Sequence, residues 1–379
     1  MERLGSDATK IILKKVYQSM LLYSKVSLPL VRPFKTSFGT QRNRDAVLLI
    51  YKDKQIEAFS EAVTDDEPLY GYEDNYTLLH VIRDDLLSIF SPDLEPEEFN
   101  RRASRIRGHN MAKAALEMLL WDINAKREGK SLAEIIGSKG YAEVGISIGM
   151  TSIEEELKII EESLKLGYRR IKVKIEKGYD VKLLEAIRDR FGDIPLSVDA
   201  NQAYTRNDFR HLKEMDRFNL LYIEQPLQKE DILGYSLLKK EIKTPVCLDE
   251  SIESVTLASN AIELGAVDII NIKPGRVGGI ANSLEIMKMA RDYGVGIWIG
   301  GMLETGIGRS FNISLASSTL VDMPGDTSPN SRYFNKDITN ETFEMRDGII
   351  KPMNGPGIGV SIDYRYLKEV EVEGGRIFD

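Results

Sequence analysis

The chain has 379 residues, 42% of them hydrophobic and 29% charged, a composition of folded domains and not of disorder or a membrane bundle. Its 51 basic and 59 acidic side chains leave a formal charge of −8, which argues against a nucleic-acid binder. One cysteine, Cys247, excludes an internal disulfide and any cysteine-based zinc cluster.

Residues 1–9 read as a loose extension. Acids and lysines stand there where a signal peptide keeps an apolar run, so the sequence predicts the cytosol and no membrane. The stretches 10–28 and 45–63 alternate like antiparallel strands, and 29–44 between them reads as a loop marked by Pro29, Pro33 and Gly39. Helices are predicted at about 74–90 and 109–127. The second has an apolar stripe of Leu116, Leu119, Leu120 and Ile123, with Asn110 as N-cap.

From about residue 144 the texture becomes a beat of short apolar strand and amphipathic helix. One helix closes at Gly167, and the next runs from a predicted N-cap at Asp180 to a stop at Gly192. Eight strand candidates follow one another, the last being TLVDMPGD at 319–326. The period is nearly constant: Lys174 to Asp199, Asp199 to Glu224 and Glu224 to Asp249 are each 25 residues, and Asp249 to Lys273 is 24. Each interval holds one strand and one helix, and eight such units close into a barrel. An open doubly wound sheet is the alternative, but no glycine-rich phosphate turn follows its first strand.

Strand ends carry the chemistry. Lys172, Lys174, Asp199, Glu224, Asp249, Lys273 and Glu304 all fall there, and a barrel gathers the C-terminal ends of its strands on one face. Any one of these charges is as often a solvated strand end. The repeated register is what points to a site. Three carboxylates on consecutive strands form a hard oxygen set suited to Mg²⁺ and not to zinc. Lys172 and Lys174 point to the same side of their strand. An IKVKI pattern is more often a solvated edge, but inside a barrel the two ammoniums repel. With a nearby dication, that repulsion is expected to lower an ammonium from about 10.4 towards the working range of a general base. Lys273 falls four strands after Lys174, across the ring.

KVK at 172–174, SVDAN, YIEQP, CLDES, NIKPGRVGG and GGMLETGIG together resemble the enolase superfamily, in its muconate-lactonising subgroup. PFKTSFGT and GDTSPNSRYF are similar to the o-succinylbenzoate synthase/N-acylamino acid racemase branch. The resemblance implies an α/β fold: a modified (β/α)7β TIM-type barrel with an α+β capping domain formed by the N-terminal segment and the C-terminal tail. The expected boundaries are 1–138 for the cap, 139–330 for the barrel and 331–379 for the returning segment. It implies that Asp199, Glu224 and Asp249 bind one Mg²⁺ (or Mn²⁺), which holds the substrate carboxylate and stabilises the enediolate. Lys174 is then the base, tuned by Lys172, and Lys273 the opposite acid/base or a stabilising cation. Asn201, Glu250 and Glu304 support the site, with Asn201 also within reach of substrate. Ser147, Phe38, Arg276 and the backbone near Gly301 and Met302 face the substrate, and the loop at 33–39 is a lid. The partner is a small-molecule carboxylate, in a homo-oligomer.

Between the branch's two chemistries, dehydration to o-succinylbenzoate for menaquinone is preferred over racemisation of N-acylamino acids. Arg276 fits the racemase, or a mere surface charge. Dipeptide epimerisation comes last, because Asp322 and Asp326 are not a D-x-D pair, and muconate cycloisomerisation is also less favoured. A non-catalytic binding protein on the same fold is the different-class alternative, expected to have lost a lysine or carboxylate; none is lost. His80, His109 and His211 lie on no strand end, 128–131 lacks a phosphate loop's upstream glycine, and Cys247, Trp121 and Trp298 need only core packing.

Overall fold

A computed structural model describes residues 19–36, 39–68 and 71–378. Three antiparallel strands open the chain: β1 (Met20–Thr36), β2 (Gly39–Lys52) and β3 (Glu57–Ala62). The segment 29–44, expected as a loop, is mostly strand. Pairing runs from Met20 to Pro29 and resumes from Phe34 to Thr36, with a register break between Pro29 and Phe34. The prolines lack amide donors and are absorbed by that irregularity, so the hairpin continues past them. The lid tip at Ser37 and Phe38 lies outside the described residues.

Helix α1 (Asn75–Val81) runs into a π-turn at Ile82–Leu86, and α2 is Pro96–Ala103. α3 (Asn110–Glu128) lies between the cap sheet and the barrel, buried along Leu116, Leu119, Leu120 and Ile123, the stripe read from the sequence. Its N-cap is His109 in a left-handed conformation, and not Asn110. Asn110 instead donates to the carbonyls of Glu253 and Arg276, and Glu73 accepts from the amides of Met111 and Ala112. A carboxylate distant in sequence thus does the capping.

Seven parallel strands follow: β4 (Gly145–Ile148), β5 (Arg170–Lys174), β6 (Leu196–Asp199), β7 (Ile223–Glu224), β8 (Val246–Leu248), β9 (Ile269–Ile272) and β10 (Gly296–Ile299). The expected eighth strand is not one. Segment 321–326 still occupies the eighth position: Met323 and Asp326 donate to the carbonyls of Ile297 and Ile299, while Gly325 exchanges bonds with Glu143 and Gly145. Pro324 lacks a ladder donor, so closure is made by single bonds in place of a ladder.

Among the helices outside the ring, α4 (Asp180–Phe191) follows β5 and stops at Gly192 as expected. Tyr179, and not Asp180, is its cap; Asp180 binds the Tyr204 hydroxyl and His211. Helices α5 (Ile280–Asp292) and α6 (Gly306–Ala316) begin at carboxylates from the cap. Glu117 accepts from the amides of Ile280 and Ala281, and Glu61 from the amides of Thr305 and Gly308. Anions at helix N-termini are favoured by the dipole and by the unpaired amides there. These bonds lock the cap over the barrel. The final strand, β11 (Glu371–Phe378), pairs with β1, so the C-terminal segment joins the cap sheet. No described helix is long and apolar enough to cross a membrane.

Candidate active site

Alternation along parallel strands sends every second side chain into the ring. The lower interior is apolar: Tyr222, Cys247, Ile269 and Trp298 pack together. Cys247 is therefore core, as expected. One layer up, the interior turns ionic. Arg170 lies 4.8 Å and Lys172 4.5 Å from the centre of the Trp298 ring, so that tryptophan does more than fill space.

The top layer forms the floor of a cavity of about 530 Å³ beneath the cap. Lys172, Lys174, Asp199, Asn201, Asp249, Lys273, Ser147, Gly301 and Met302 line it, opposite Gln41 to Asp45 and Asp65 to Glu67 from the cap. Residues a hundred positions apart converge because Lys174 is in register with Asp199, and Asp199 with Glu224. Lys174 Nζ lies 2.6 Å from Asp199 Oδ2 and 2.6 Å from Asn201 Oδ1. Lys273 Nζ lies 2.9 Å from Asp249 Oδ2 on the far wall. Lys172 Nζ is 2.7 Å from Glu224 Oε2 and 3.7 Å from Asp199 Oδ2.

Lys172, expected as the residue that tunes Lys174, is enclosed by carboxylates. Burial alone would depress it, but Asp326, Glu224 and Asp199 outweigh burial and hold it well above its ordinary value. Glu224 is pushed up by burial and then by Asp199, although Lys172 pulls the other way. Asp249 is also buried, yet Arg276 and Lys273 hold it well below the carboxylate range. Burial, then Asp249 and Asp199, push Glu250 up to about 7.

The supporting residues are distributed unevenly. Asn201 Nδ2 donates to Glu250 Oε1 at 3.0 Å, and Asn271 Nδ2 donates to Glu224 Oε1 at 2.9 Å. Glu304 accepts from the Met302 amide and stands 3.1 Å from Arg309. Arg276 is neither a surface charge nor among the residues lining the large cavity. It is buried behind Asp249, bonding that carboxylate and the carbonyls of Ile252 and Asn271. Gly301 is where chain segments crowd: a Cβ there would come within 2.8 Å of the Asp326 carbonyl.

Sequence reasoning missed Asp326, weighed only for its spacing from Asp322. Its Oδ1 lies 2.5 Å from Arg170 and its Oδ2 2.8 Å from Lys172, and it lines the cavity. No spacing rule reaches it, because the eighth position has no strand to count from. Arg309 and Tyr333 also line the cavity and were not foreseen.

Among the described residues, no three His, Cys, Asp or Glu side chains are already gathered around one point as ion ligands. Each strand-end carboxylate is paired with a lysine or arginine of the chain. The donor set nevertheless fits a hard dication. It is all oxygen and buried, burial and Asp199 raise Glu224 despite Lys172, and Glu250 Oε2 has no hydrogen-bond partner.

This barrel, cap and charged floor are the architecture of a known family, and the chain belongs to the enolase superfamily. Residues 155–366 match the Enolase C-terminal domain-like model, and residues 21–137 match the Mandelate racemase / muconate lactonizing enzyme N-terminal domain model. Enzymes of this superfamily generally use a divalent metal. Within it, the chain is similar to an N-succinylamino acid racemase of Amycolatopsis sp, 43% identical over 91% of this chain and 95% of that one. It is also similar to the o-succinylbenzoate synthase of Bacillus subtilis, 41% identical over 91% and 94% respectively. A solved structure of an enolase-superfamily member from Listeria innocua has a TM-score of 0.91, 36% identity, and covers 95% of this chain and 99% of that one. The chain thus falls in the o-succinylbenzoate synthase/N-acylamino acid racemase branch.

Proposed function

We propose that the protein is a cytosolic, homo-oligomeric o-succinylbenzoate synthase that dehydrates 2-succinyl-6-hydroxy-2,4-cyclohexadiene-1-carboxylate in menaquinone biosynthesis. The observation that carries the step both chemistries of the branch share, removal of a proton beside a carboxylate, is the pair of lysine amines on opposite walls: Lys174 held by Asp199 and Lys273 held by Asp249, with the carboxylate floor between them. Asp199, Glu224 and Asp249 would hold Mg²⁺ or Mn²⁺, which supplies Lewis-acid stabilisation as negative charge builds on the substrate carboxylate.

The chain's own residues do the proton chemistry. Lys174 Nζ takes the α-proton, and Asn201 Oδ1 aims that amine. Lys273 presents a cation to the other face of the planar anion. Loss of the β-hydroxide then completes the dehydration. Lys172 is enclosed by Glu224, Asp326 and Asp199, which favour its charged form, and lies above Trp298. The cap wall over the cavity excludes water.

Racemisation of N-succinylamino acids is the second reading, favoured by the presence of a lysine on each face. Epimerisation of dipeptides has no such support. Asp322 accepts from the Ile297 amide and Asp326 is committed to Arg170 and Lys172, so neither awaits a substrate ammonium. The test is to measure kcat/KM for the cyclohexadiene acid and for N-succinyl-phenylglycine, each with Mg²⁺ and after chelation. A higher value for dehydration supports the synthase. A higher value for racemisation overturns it in favour of the second reading, and full activity without metal overturns both.

A further inference from the structure

We propose that Asp326 is a positioning residue that sets how tightly the strand-end carboxylates hold a divalent ion, because it keeps the Lys172 ammonium from claiming them. The inference rests on the ligand set proposed above, Asp199, Glu224 and Asp249.

Lys172 is 3% exposed at its side chain and cannot turn to water, so its charge must be met by carboxylates. Three stand within reach: Glu224 at 2.7 Å, Asp326 at 2.8 Å and Asp199 at 3.7 Å. Two of these are proposed ligands, so the ammonium and a dication compete for Glu224 Oε2 and Asp199 Oδ2. Asp326 alone lies outside the ligand set. The Trp298 ring, 4.5 Å from the ammonium, blocks retreat into the barrel.

Asp326 is held in place for this task. Its Oδ1 takes Arg170 at 2.5 Å, leaving Oδ2 for Lys172. Its amide donates to the Ile299 carbonyl at 3.0 Å, and its own carbonyl accepts from Arg309 Nη1 at 2.8 Å. The carboxylate therefore cannot swing away when the ammonium moves. With its charge removed, compensation of Lys172 falls on Glu224 and Asp199 alone, and the ammonium becomes a fixed competitor of the ion.

The experiment is Mn²⁺ titration of the metal-free full chain, read from the electron paramagnetic resonance of free Mn²⁺ and by calorimetry. Asp326→Asn, which keeps an acceptor for Arg170, should weaken binding about 10- to 100-fold, the usual effect of losing a residue behind the ligands. Lys172→Met should bind at least as tightly as wild type. Adding Asp326→Asn to Lys172→Met should change affinity less than about twofold if Asp326 acts through Lys172. Where Asp326→Asn alone fails to fold, a loss above about twofold on adding it to Lys172→Met overturns the role of Asp326, because no ammonium is then left for it to act through. Unchanged affinity in Asp326→Asn, or an equal loss in both backgrounds, overturns the role of Asp326. Wild type with no Mn²⁺ site overturns the ligand set instead.

Discussion

The two lysines should act on opposite faces of the substrate, and isotope exchange can show it. Lys174 ends the second strand of the ring and Lys273 follows the sixth, four steps around eight positions and so on opposite walls. Lys174 is held by Asp199 and Asn201, and Lys273 by Asp249. Arginine keeps the charge at either position but cannot deprotonate near neutrality. Losing a general base removes about 10²- to 10⁴-fold in rate, roughly 3–5 kcal/mol of barrier. Exchange of the α-proton with solvent deuterium, followed by proton NMR on each enantiomer of N-succinyl-phenylglycine, reads each face separately. Lys174→Arg should lower exchange by that factor from one enantiomer, and Lys273→Arg from the other. Because the lysines stand on opposite walls, the untouched face should change less than about tenfold. For dehydration, Lys273→Arg should retain more activity than Lys174→Arg, since a cation survives where a base does not. Exchange persisting from both enantiomers in the double variant, or both enantiomers failing equally in each single one, would refute the assignment.

Asp199→Asn, Glu224→Gln or Asp249→Asn should abolish turnover while circular dichroism stays native, because each removes one anion from the set that offsets a dication. A variant with wild-type turnover in limiting metal would contradict this. Light scattering at micromolar concentration should show a closed oligomer, commonly a dimer, and a monomer would reject it. Burial pushes Glu117 up to about 7, against the lowering by Ala281, Ile280 and Trp121. A carboxyl raised on folding contributes stability that is full below its unfolded value, about 4.3, and is lost as pH rises through 7. The shift corresponds to about 4 kcal/mol as an upper bound, since the helix N-terminus favours the charged form. Glu117→Gln should therefore flatten the fall in Tm between pH 5 and 8. An unchanged slope would count against it.

Local pattern carried much of the architecture. The 25-residue beat needs only apolar strands and amphipathic helices in alternation, and both are written in neighbouring residues. That beat also brought Lys174, Asp199, Glu224, Asp249 and Lys273 onto one face, because a closed ring converts equal spacing into convergence. It misled where local signals were answered from far away. Pro29 and Pro33 read as loop, yet β2 holds that segment in the hairpin through pairing on both sides of the break. Asn110 and Asp180 have the chemistry of caps, but Asn110 serves other backbone groups and Glu73 takes the α3 amides.

The charge states were beyond the sequence altogether. Two lysines spaced two apart imply repulsion, and only the tertiary structure encloses Lys172 in Glu224, Asp326 and Asp199. Asp326 reaches that position through a segment whose proline prevents a strand from forming. The sequence alone determined which side chains face the ring and at what height, because strand periodicity is local. Only the fold decided which charges meet, because Coulomb energy depends on distance and burial across elements that no spacing connects.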